Sequence, residues 1–405
     1  MDKLKHKEYD FSSKLRQRSI IERLKAYIAW QRNPGSGDDR KALPNVAPVS
    51  INLDLTSACN FSCPHCVDST IINTGQYLTI DDIKRTVEIL QSRGLLSIIL
   101  LGGGEPTIHK DFEKIVGYIK GTGLQLGIVT NGSRLSQVAN VVDLLEKEDW
   151  LRISIDAGSE ETFVQSHRPK TDVTLQGILE NARDIKRRNS LMTLGYSFVV
   201  VWEGITVNGH KLCQNLGEMT EAAKLACEYS FDYISFKPCL IRLEDSQRES
   251  LMDKLDRKRE KRVIQDIKHN LQQAKGATDG KIKVLESVNL RAMLQNQLHE
   301  LKRQPKRCHM QFFNTVVTPS GIFHCPAFRG VDKAKIAERD GYTGHNKFDE
   351  TQQTLAHSLL TFDAEKECNV VACFYHHVNW WLEQFIRSDK TIDGIETVED
   401  DNFFL

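Results

Sequence analysis

Residues 49–66, with the sequence VSINLDLTSACNFSCPHC, determine how the rest of the chain is interpreted. The first seven residues are rich in apolar and β-branched side chains and predict a buried strand. Cys59, Cys63 and Cys66 follow on one loop at spacings of four and three residues. Three thiolates are one fewer than a closed structural zinc site uses, whereas three on a four-iron cube leave one iron open to another ligand. The loop therefore predicts an iron–sulfur centre.

Outward from this stretch, apolar runs alternate with helical patterns along the chain. Strands are predicted at 49–55, 96–101, 124–130, 151–155, 194–202 and 233–236. Helices are predicted between them at 79–93, 111–120, 135–147, 174–189 and 217–229. Such units build a parallel sheet covered by helices, either an open doubly wound sheet or a partly closed barrel. In both architectures, function lies at the carboxyl ends of the strands.

Short polar motifs follow the next three strands. Gly102-Gly103-Gly104-Glu105-Pro106 follows the second strand, Thr130-Asn131-Gly132 the third, and Ser154-Ile155-Asp156 the fourth, with Arg168 further along. Glycines let a backbone approach a ligand closely, and a carboxylate accepts hydrogen bonds from an ammonium group. Because the strand ends of a parallel sheet meet at one edge, we expect these motifs to line one site.

The cysteine loop and these motifs, in this order, resemble the radical S-adenosylmethionine (SAM) superfamily over about residues 50–240. The resemblance implies an α/β fold, a partial (β/α)6 barrel of radical SAM type, that holds a [4Fe-4S] cluster on Cys59, Cys63 and Cys66 and binds SAM. It implies a SAM-binding set of His65 near the adenine, Gly103, Gly104 and Glu105 at the methionine amino group, Thr130 and Asn131 beside the ribose, and Ser154, Asp156 and Arg168 at the ribose and the methionine carboxylate. The fifth strand, at Val199–Trp202, supplies no such motif.

Enzymes of this family send one electron into the sulfonium of SAM, and the resulting 5′-deoxyadenosyl radical abstracts hydrogen from an unactivated carbon. The cofactor supplies the difficult step, and the protein positions substrate and excludes water. The resemblance therefore implies a radical enzyme that needs a reducing partner such as flavodoxin or ferredoxin.

Several of these residues also have simpler interpretations. The thiol loop could hold zinc with His65 or His109 as the fourth ligand. Asn131-Gly132 could be only a turn, Asp156 a helix cap, and Arg168 a member of a surface ion pair.

The chain is expected to divide into four segments. Residues 1–48 are expected to form an N-terminal helical arm, and residues 49–242 are expected to form the barrel. Residues 243–305 are expected to form a charged helical insertion, and residues 306–405 a small α+β domain. The insertion carries predicted helices at 244–274 and 284–303 and is interpreted as a solvated spacer, with substrate gating or partner binding as the alternative. Residues 316–323 predict a β-hairpin around a Pro-Ser-Gly turn.

The last segment contains a second group of cysteines, Cys308, Cys325, Cys368 and Cys373. This group resembles the auxiliary-cluster domains of SPASM and twitch radical SAM enzymes, although a full SPASM domain has more cysteines. The resemblance implies one auxiliary [4Fe-4S] cluster, and four protein ligands would suit it to electron transfer. Structural zinc is the alternative. Neighbouring His309, His324, His376 and His377 are further candidate ligands.

Cys239 follows the sixth predicted strand and belongs to neither cysteine group. A thiol S–H bond is weaker than an aliphatic C–H bond, so Cys239 could donate a hydrogen atom to a substrate radical and invert that carbon. Radical SAM epimerases resemble this arrangement. A small buried hydrophobe is the alternative interpretation, and it applies more strongly to Cys213 and Cys227.

Composition limits the partners of this chain. Its 405 residues include 54 Lys and Arg and 54 Asp and Glu, and this neutral balance disfavours a nucleic-acid partner. No apolar run is long enough for a membrane span, and the polar N-terminus has no signal-peptide pattern, so we expect a cytoplasmic protein without a membrane partner. Ten cysteines in a reducing compartment favour metal ligands or thiols over disulfides.

We therefore expect a radical SAM oxidoreductase or epimerase that acts on an unactivated C–H bond of a sugar, an aminocyclitol or a peptide. The alternatives are a peptide-crosslinking maturase, an RNA-modifying radical SAM enzyme and a non-enzymatic metal-binding protein. Residues 1–48 are too short for a winged-helix leader-binding domain, which modestly favours a small molecule or a leader peptide recognised without that domain.

Overall fold

The computed structural model describes residues 10–35, 41–207, 209–243, 249–251 and 257–405. Parts of the N-terminal arm and of the insertion, including most of the start of the helix predicted at 244–274, lie outside these ranges.

The described residues form fourteen strands. They are β1 Ser50–Asp54, β2 Ser97–Leu101, β3 Gln125–Thr130, β4 Trp150–Ser154, β5 Thr193–Val200, β6 Thr206–Val207, β7 His210–Lys211, β8 Tyr233–Pro238, β9 Leu240–Arg242, β10 Glu249–Leu251, β11 Lys283–Glu286, β12 Asn314–Thr318, β13 Gly321–Phe323 and β14 Lys335–Ala337.

The same ranges contain fourteen α-helices, which alternate with the strands in the first half of the chain. They are α1 Phe11–Leu15, α2 Ile21–Arg32, α3 Ile80–Ser92, α4 Phe112–Gly121, α5 Leu135–Ala139, α6 Glu160–His167, α7 Leu175–Arg188, α8 Met219–Glu228, α9 Arg257–Thr278, α10 Val288–Leu294, α11 Leu298–Leu301, α12 His345–Thr361, α13 Ala364–Glu367 and α14 His376–Arg387.

Ten strands form one sheet in the order β11-β8-β5-β4-β3-β2-β1-β12-β13-β14. The strands from β11 to β12 are parallel, and β13 and β14 add antiparallel pairs at the far edge. The predicted α/β class with a parallel sheet is therefore confirmed. All six predicted strands of the first half are present in this sheet, and β12 and β13 form the predicted hairpin.

The two faces of this sheet differ in chemistry. Leu151 and Ile153 of β4 and Leu194, Tyr196, Phe198 and Val200 of β5 are buried and lie on one face of the sheet. Register partners in neighbouring parallel strands share a face. The other face, here called the polar face, carries Asn52, Arg152, Ser197, Ser235 and Lys237. It is the inner face of a partial barrel.

Aromatic rings and the end of the chain cover the amino ends of these strands. A Cβ on Gly127 would lie 2.3 Å from the Trp150 ring, so glycine makes room for that ring. The Phe404 ring lies 5.4 Å from the Trp150 ring, and Ser97 Oγ donates to the Phe403 carbonyl at 2.9 Å. These contacts cover the amino ends of the central strands.

Two details differ from the sequence predictions. The helix predicted over 284–303 is wrong at its start, because Lys283–Glu286 pairs with β8 as an edge strand and helix begins only at Val288. Parallel pairing supplies a ladder that local helical periodicity does not reveal. The arm is two helices, α1 and α2, joined by a turn at which Gln17 pairs with Val398.

The helices within the described ranges differ from membrane spans in length and polarity. None of them is both long and apolar enough to cross a membrane.

Candidate functional site

The three cysteines of the first group lie on the loop that follows β1, at the carboxyl end of the sheet. Burial raises the pKa of Cys63, and the neighbouring Cys66 and Cys59 raise it further, so the three thiols lie near one another. Burial also raises the pKa of Cys66 to about 12. Thiols with such high pKa values ionise when a metal binds them.

The cysteine loop is anchored on the end of helix α6. Ser62 donates its backbone N–H to the carbonyls of His167 and Arg168 at 3.1 and 3.2 Å. Phe61 pairs with Pro169, and its buried ring contacts Phe163. Arg168 has a left-handed backbone with φ of 46° and an exposed side chain. Its backbone holds the loop, and the role of its guanidinium with SAM stays a prediction.

The glycine-rich loop after β2 packs directly against the cysteine loop. A Cβ on Gly104 would lie 2.3 Å from the Ala58 carbonyl, so only glycine fits there. Glu105 donates its backbone N–H to the same carbonyl at 2.8 Å. Gly103 donates its N–H to Asp54 Oδ2 at 3.0 Å. The two motifs that the sequence analysis assigned to one site are therefore in contact.

Glu105 joins the loop after β2 to the end of β3. Its Oε1 accepts hydrogen bonds from the Thr107 N–H at 3.0 Å and from Thr130 Oγ1 at 2.6 Å, and its Oε2 accepts from the Asn131 N–H at 2.7 Å. Burial raises the pKa of Glu105, and these donors lower it. Glu105, Thr130 and Asn131 are thus brought together as predicted. Asn131 also forms a turn, because its Oδ1 accepts from the Ser133 N–H.

Asp156 follows β4 with a φ of 54° and faces two histidines. Its Oδ2 lies 3.3 Å from His65 Nε2 and 3.5 Å from His167 Nε2, and its Oδ1 accepts from the Val199 N–H at 2.6 Å. Burial opposes ionisation, but the His65 hydrogen bond and the His167 charge hold the pKa of Asp156 below its usual value. The helix-cap alternative is wrong, because Ser159 caps α6.

Two further residues of this site were not predicted from the sequence. His167 Nδ1 lies 3.2 Å from Cys63 Sγ, and its Nε2 lies 2.8 Å from the Ile155 carbonyl. Asn215 donates through Nδ2 to the Asp156 carbonyl at 2.7 Å. Neither residue belongs to a local motif, so only the folded arrangement identifies them. Ser154 ends β4 beside Ser197 of β5.

The second cysteine group also comes together in space. Burial raises the pKa of Cys368, and the charges of Cys308, Cys325 and Cys373 raise it further. Asn379 Nδ2 lies 3.7 Å from Cys308 Sγ. Hydrogen bonds to sulfur are among the features that tune iron–sulfur clusters.

The histidines near the second cysteine group differ in their contacts. His309 Nδ1 bonds to the Tyr27 hydroxyl at 2.8 Å, and its Nε2 bonds to Glu383 at 2.9 Å, so both ring nitrogens are occupied. His376 Nδ1 lies 3.3 Å from Gln304. His324 is buried against the Phe362 ring, and burial lowers its pKa to about 4. Only His309 is therefore excluded as a ligand by its contacts, since neither ring nitrogen of His324 has a hydrogen-bond partner within the described residues.

Each cysteine group fits a four-iron cube by the chemistry of its donors. The first offers three thiols and leaves one iron for SAM, and the second offers four thiols. No group of three or more His, Cys, Asp or Glu side chains within the described ranges is arranged to hold a single metal ion. In a cube each thiolate binds a different iron, so the sulfurs need not converge on one atom.

A buried network of charges lies between the two cysteine groups. Arg329 Nε lies 2.9 Å from Asp54 Oδ2, and Arg329 Nη1 lies 2.9 Å from Asp68 Oδ2. Arg242 Nη2 lies 3.6 Å from both Asp68 and Glu249. Burial raises the pKa of Asp54 and of Glu249 to about 7 in each case. The network links the loop of Cys66 to the loop of Cys325.

Cys239 lies directly after β8, at the carboxyl end of the sheet. It is fully buried, and burial followed by the charge of Asp156 raises its pKa to about 12. The thiol is therefore neutral and lies at the same end as the SAM motifs. Cys213 is partly exposed, and Cys227 lies on α8. The hydrogen-donor role of Cys239 stays a prediction.

Comparisons with known proteins agree with this arrangement. The family model described as the radical SAM superfamily matches residues 53–208. An S-adenosylmethionine-dependent nucleotide dehydratase from Selenomonas ruminantium is 33% identical over 145 residues, which are 36% of this chain and 48% of the relative. The mycofactocin maturase MftC of Mycolicibacterium smegmatis is 26% identical over 185 residues, 45% of this chain and 43% of that protein. The matches thus span about half of each curated relative.

Solved structures share the fold at low sequence identity. Streptococcus suis SuiB bound to its precursor peptide SuiA has a TM-score of 0.56 at 14% identity, covering 79% of this chain and 68% of SuiB. The enzyme anSMEcpe with bound AdoMet has a TM-score of 0.53 at 16% identity, covering 77% of this chain and 82% of that one. Residues 53–208 therefore form a domain of the radical SAM superfamily, and the solved structures agree with it in fold.

Proposed function

We propose that this chain binds SAM at a [4Fe-4S] cluster held by Cys59, Cys63 and Cys66 and acts on an unactivated C–H bond of a sugar, an aminocyclitol or a peptide. When bound, the cluster and SAM supply one-electron cleavage of the C5′–S bond and a 5′-deoxyadenosyl radical that abstracts hydrogen. The observation that carries the proposal is the contact between the cysteine loop and the Gly103–Glu105 loop through Ala58.

The residues of the chain hold and orient the cofactors in this proposal. Among the described residues, Glu105 Oε2 accepts one hydrogen bond, from the Asn131 N–H, and this oxygen has the capacity to accept another from the methionine ammonium. His65 is held by the ionised Asp156, which orients its ring for the adenine.

The test is SAM cleavage by the anaerobically reconstituted protein with dithionite or flavodoxin as the reductant. Cys59, Cys63 and Cys66 are replaced together by alanine, and 5′-deoxyadenosine and bound iron are measured. We expect no 5′-deoxyadenosine and a loss of about four irons. The matched control replaces Cys213 and Cys227, which belong to neither group, and keeps both signals. 5′-Deoxyadenosine from the triple variant would overturn the assignment.

We further propose that Cys308, Cys325, Cys368 and Cys373 hold an auxiliary [4Fe-4S] cluster that exchanges electrons with the substrate. Four thiols in one group, with hydrogen bonds to sulfur, support this assignment. The names of two relatives suggest different substrates, since one is a nucleotide dehydratase and the other a mycofactocin maturase. SuiB, which shares the fold, was solved with a bound precursor peptide.

Epimerisation is the reaction that Cys239 supports. After hydrogen abstraction, the Cys239 S–H would give its hydrogen atom to the substrate carbon radical. The sulfur radical left on Cys239 would take one electron from the reducing partner, by way of the auxiliary centre, and one proton from solvent. The buried, neutral thiol at the carboxyl end of the sheet supports this role.

A further inference from the structure

Three serines lie side by side on the polar face of the sheet. Ser154 of β4 is the register partner of Ser197 of β5, and Ser197 is the register partner of Ser235 of β8. Partners in parallel strands point to the same face, so the three hydroxyls form one row. Ser235 Oγ is buried and has no hydrogen-bond partner in the described structure. The row is therefore polar and incompletely satisfied.

Two cations flank this row on the same face. Arg152 precedes Ser154 by two residues, and Lys237 follows Ser235 by two residues, so strand alternation places both on the polar face. Lys237 Nζ donates to Ser197 Oγ at 3.1 Å. The Arg152 guanidinium lies over the Trp150 ring at 5.4 Å, and its Nε is buried without a hydrogen-bond partner.

The positive charge of this pair is not balanced locally. Within the described ranges, neither Arg152 nor Lys237 has a carboxylate within the 4.0 Å that defines an ion pair. Burial lowers the pKa of Lys237 to about 7, and Arg152 lowers it as well, while Asp156 raises it. Asp156 already binds His65 and the Val199 N–H. Both side chains are half-buried, and a partly desolvated cation without a paired anion is costly, so an anionic ligand would stabilise this pair.

We propose that Arg152, Lys237 and Ser197 bind an oxyanion of the substrate, a phosphate or a carboxylate, on the inner face of the barrel. This assignment rests on the proposed function, because it places a substrate beside the SAM motifs. Lys237 is level with Val199, which donates to Asp156, so the oxyanion lies next to the predicted SAM site. Arginine, lysine and hydroxyl donors are the groups that hold phosphates and carboxylates in proteins.

The test is calorimetric titration of the reconstituted, SAM-loaded protein with pyrophosphate and, separately, with glutarate. The pyrophosphate arm identifies a phosphate site and the glutarate arm a carboxylate site. We expect saturable binding of at least one probe. Replacing Lys237 with Gln should weaken it about tenfold or more, and Lys237→Arg should largely restore it. Lys224→Gln, on the exposed face of α8, is the control of equal charge and leaves the affinity unchanged.

The melting temperature of a Lys237 variant distinguishes a binding role of this lysine from a structural role. Lys237→Met removes a buried charge that no carboxylate balances, so its melting temperature should equal or exceed that of the parent protein, whereas a structural ion pair would lose stability. Binding of neither probe, or equal affinity in Lys237→Gln, overturns the proposal. Weaker binding of SAM itself to Lys237→Gln also overturns it, because the cations would then serve the cofactor.

The readouts keep the two proposals separate. Probe binding requires no turnover, whereas the proposed function is tested by 5′-deoxyadenosine formation. A protein that binds pyrophosphate or glutarate through Lys237 but cleaves no SAM would retain the oxyanion site and contradict the radical chemistry. A protein that cleaves SAM but binds neither probe would support the radical chemistry and contradict the oxyanion site.

Discussion

Arg329 contacts Asp54 through Nε at 2.9 Å, and through this ion pair the loop after Cys325 is tied to the end of β1. The same guanidinium reaches Asp68, two residues after Cys66. Asp54 in turn accepts the N–H of Gly103. A single side chain therefore connects both cysteine groups and the glycine-rich loop, although these segments are far apart in the sequence.

Replacing Arg329 with Met should destabilise the protein strongly. The change leaves Asp54 and Asp68 buried without their shared cation, and breaking a buried pair in this way costs about 3–5 kcal/mol. The free energy of unfolding is measured by urea denaturation. Arg262→Met is the control, because Arg262 and its partner Asp266 are exposed, and it should change little. Equal stabilities of the two variants would contradict the importance of the Arg329 network.

Gly104→Ala should abolish SAM binding. The added Cβ would lie 2.3 Å from the Ala58 carbonyl and would push the glycine-rich loop away from the cysteine loop. Gly117→Ala is the matched control, since this helical glycine has only one ordinary contact, with Leu144 at 3.9 Å, and alanine there should stabilise by about 0.5–1 kcal/mol. Equilibrium dialysis with SAM measures the outcome, and retained binding by Gly104→Ala would count against the loop contact.

Glutarate affinity should fall as the pH rises from 6.5 to 9. The pKa of Lys237 is about 7 in the ligand-free protein, so the side chain is charged below that pH and neutral above it. The lowered pKa of its neighbour Asp156 keeps that carboxylate ionised over this range, and glutarate is a dianion throughout. Lys237→Arg should remove the dependence, because arginine stays charged. Titrations at four pH values measure it, and a flat profile in the parent protein would contradict the prediction.

Replacing Cys368 and Cys373 with alanine should remove one of two clusters. The bound iron should drop from about eight to about four atoms, while SAM is still cleaved, since the first cysteine group is intact. Conversion of substrate should fail. Iron analysis and 5′-deoxyadenosine assays measure both effects. Unchanged iron with normal turnover would show that the second group holds no cluster.

Cys239→Ala should change the fate of the substrate radical without preventing its formation. In deuterated water an epimerase takes its new hydrogen from an exchangeable thiol, so the parent enzyme should place deuterium in the product and the variant should not. Mass spectrometry of the product measures the incorporation, and 5′-deoxyadenosine formation serves as the internal control. Identical products from both proteins would eliminate the donor role and favour oxidation.

The sequence predicted the strands and the motifs at their ends because both depend on local patterns. Alternation and turn residues located β1 to β5, and the cysteine spacing located the thiol loop. Arg329 and His167 could not be found in this way, because their partners Asp68 and Cys63 lie 261 and 104 residues away along the chain. Edge strand β11 was missed for a similar reason, since pairing with β8 overrides its helical pattern.

Strand β1 lies between β2 and β12 in the sheet. The first cysteine loop follows β1, and β12 belongs to the segment that carries the second cysteine group, so main-chain hydrogen bonds join the two parts of the chain. Neither half can unfold alone without breaking this ladder and the Arg329 ion pairs. The two centres should therefore share one cooperative transition on heating. Loss of the proposed cluster at either cysteine group would then lower the melting temperature of the whole molecule.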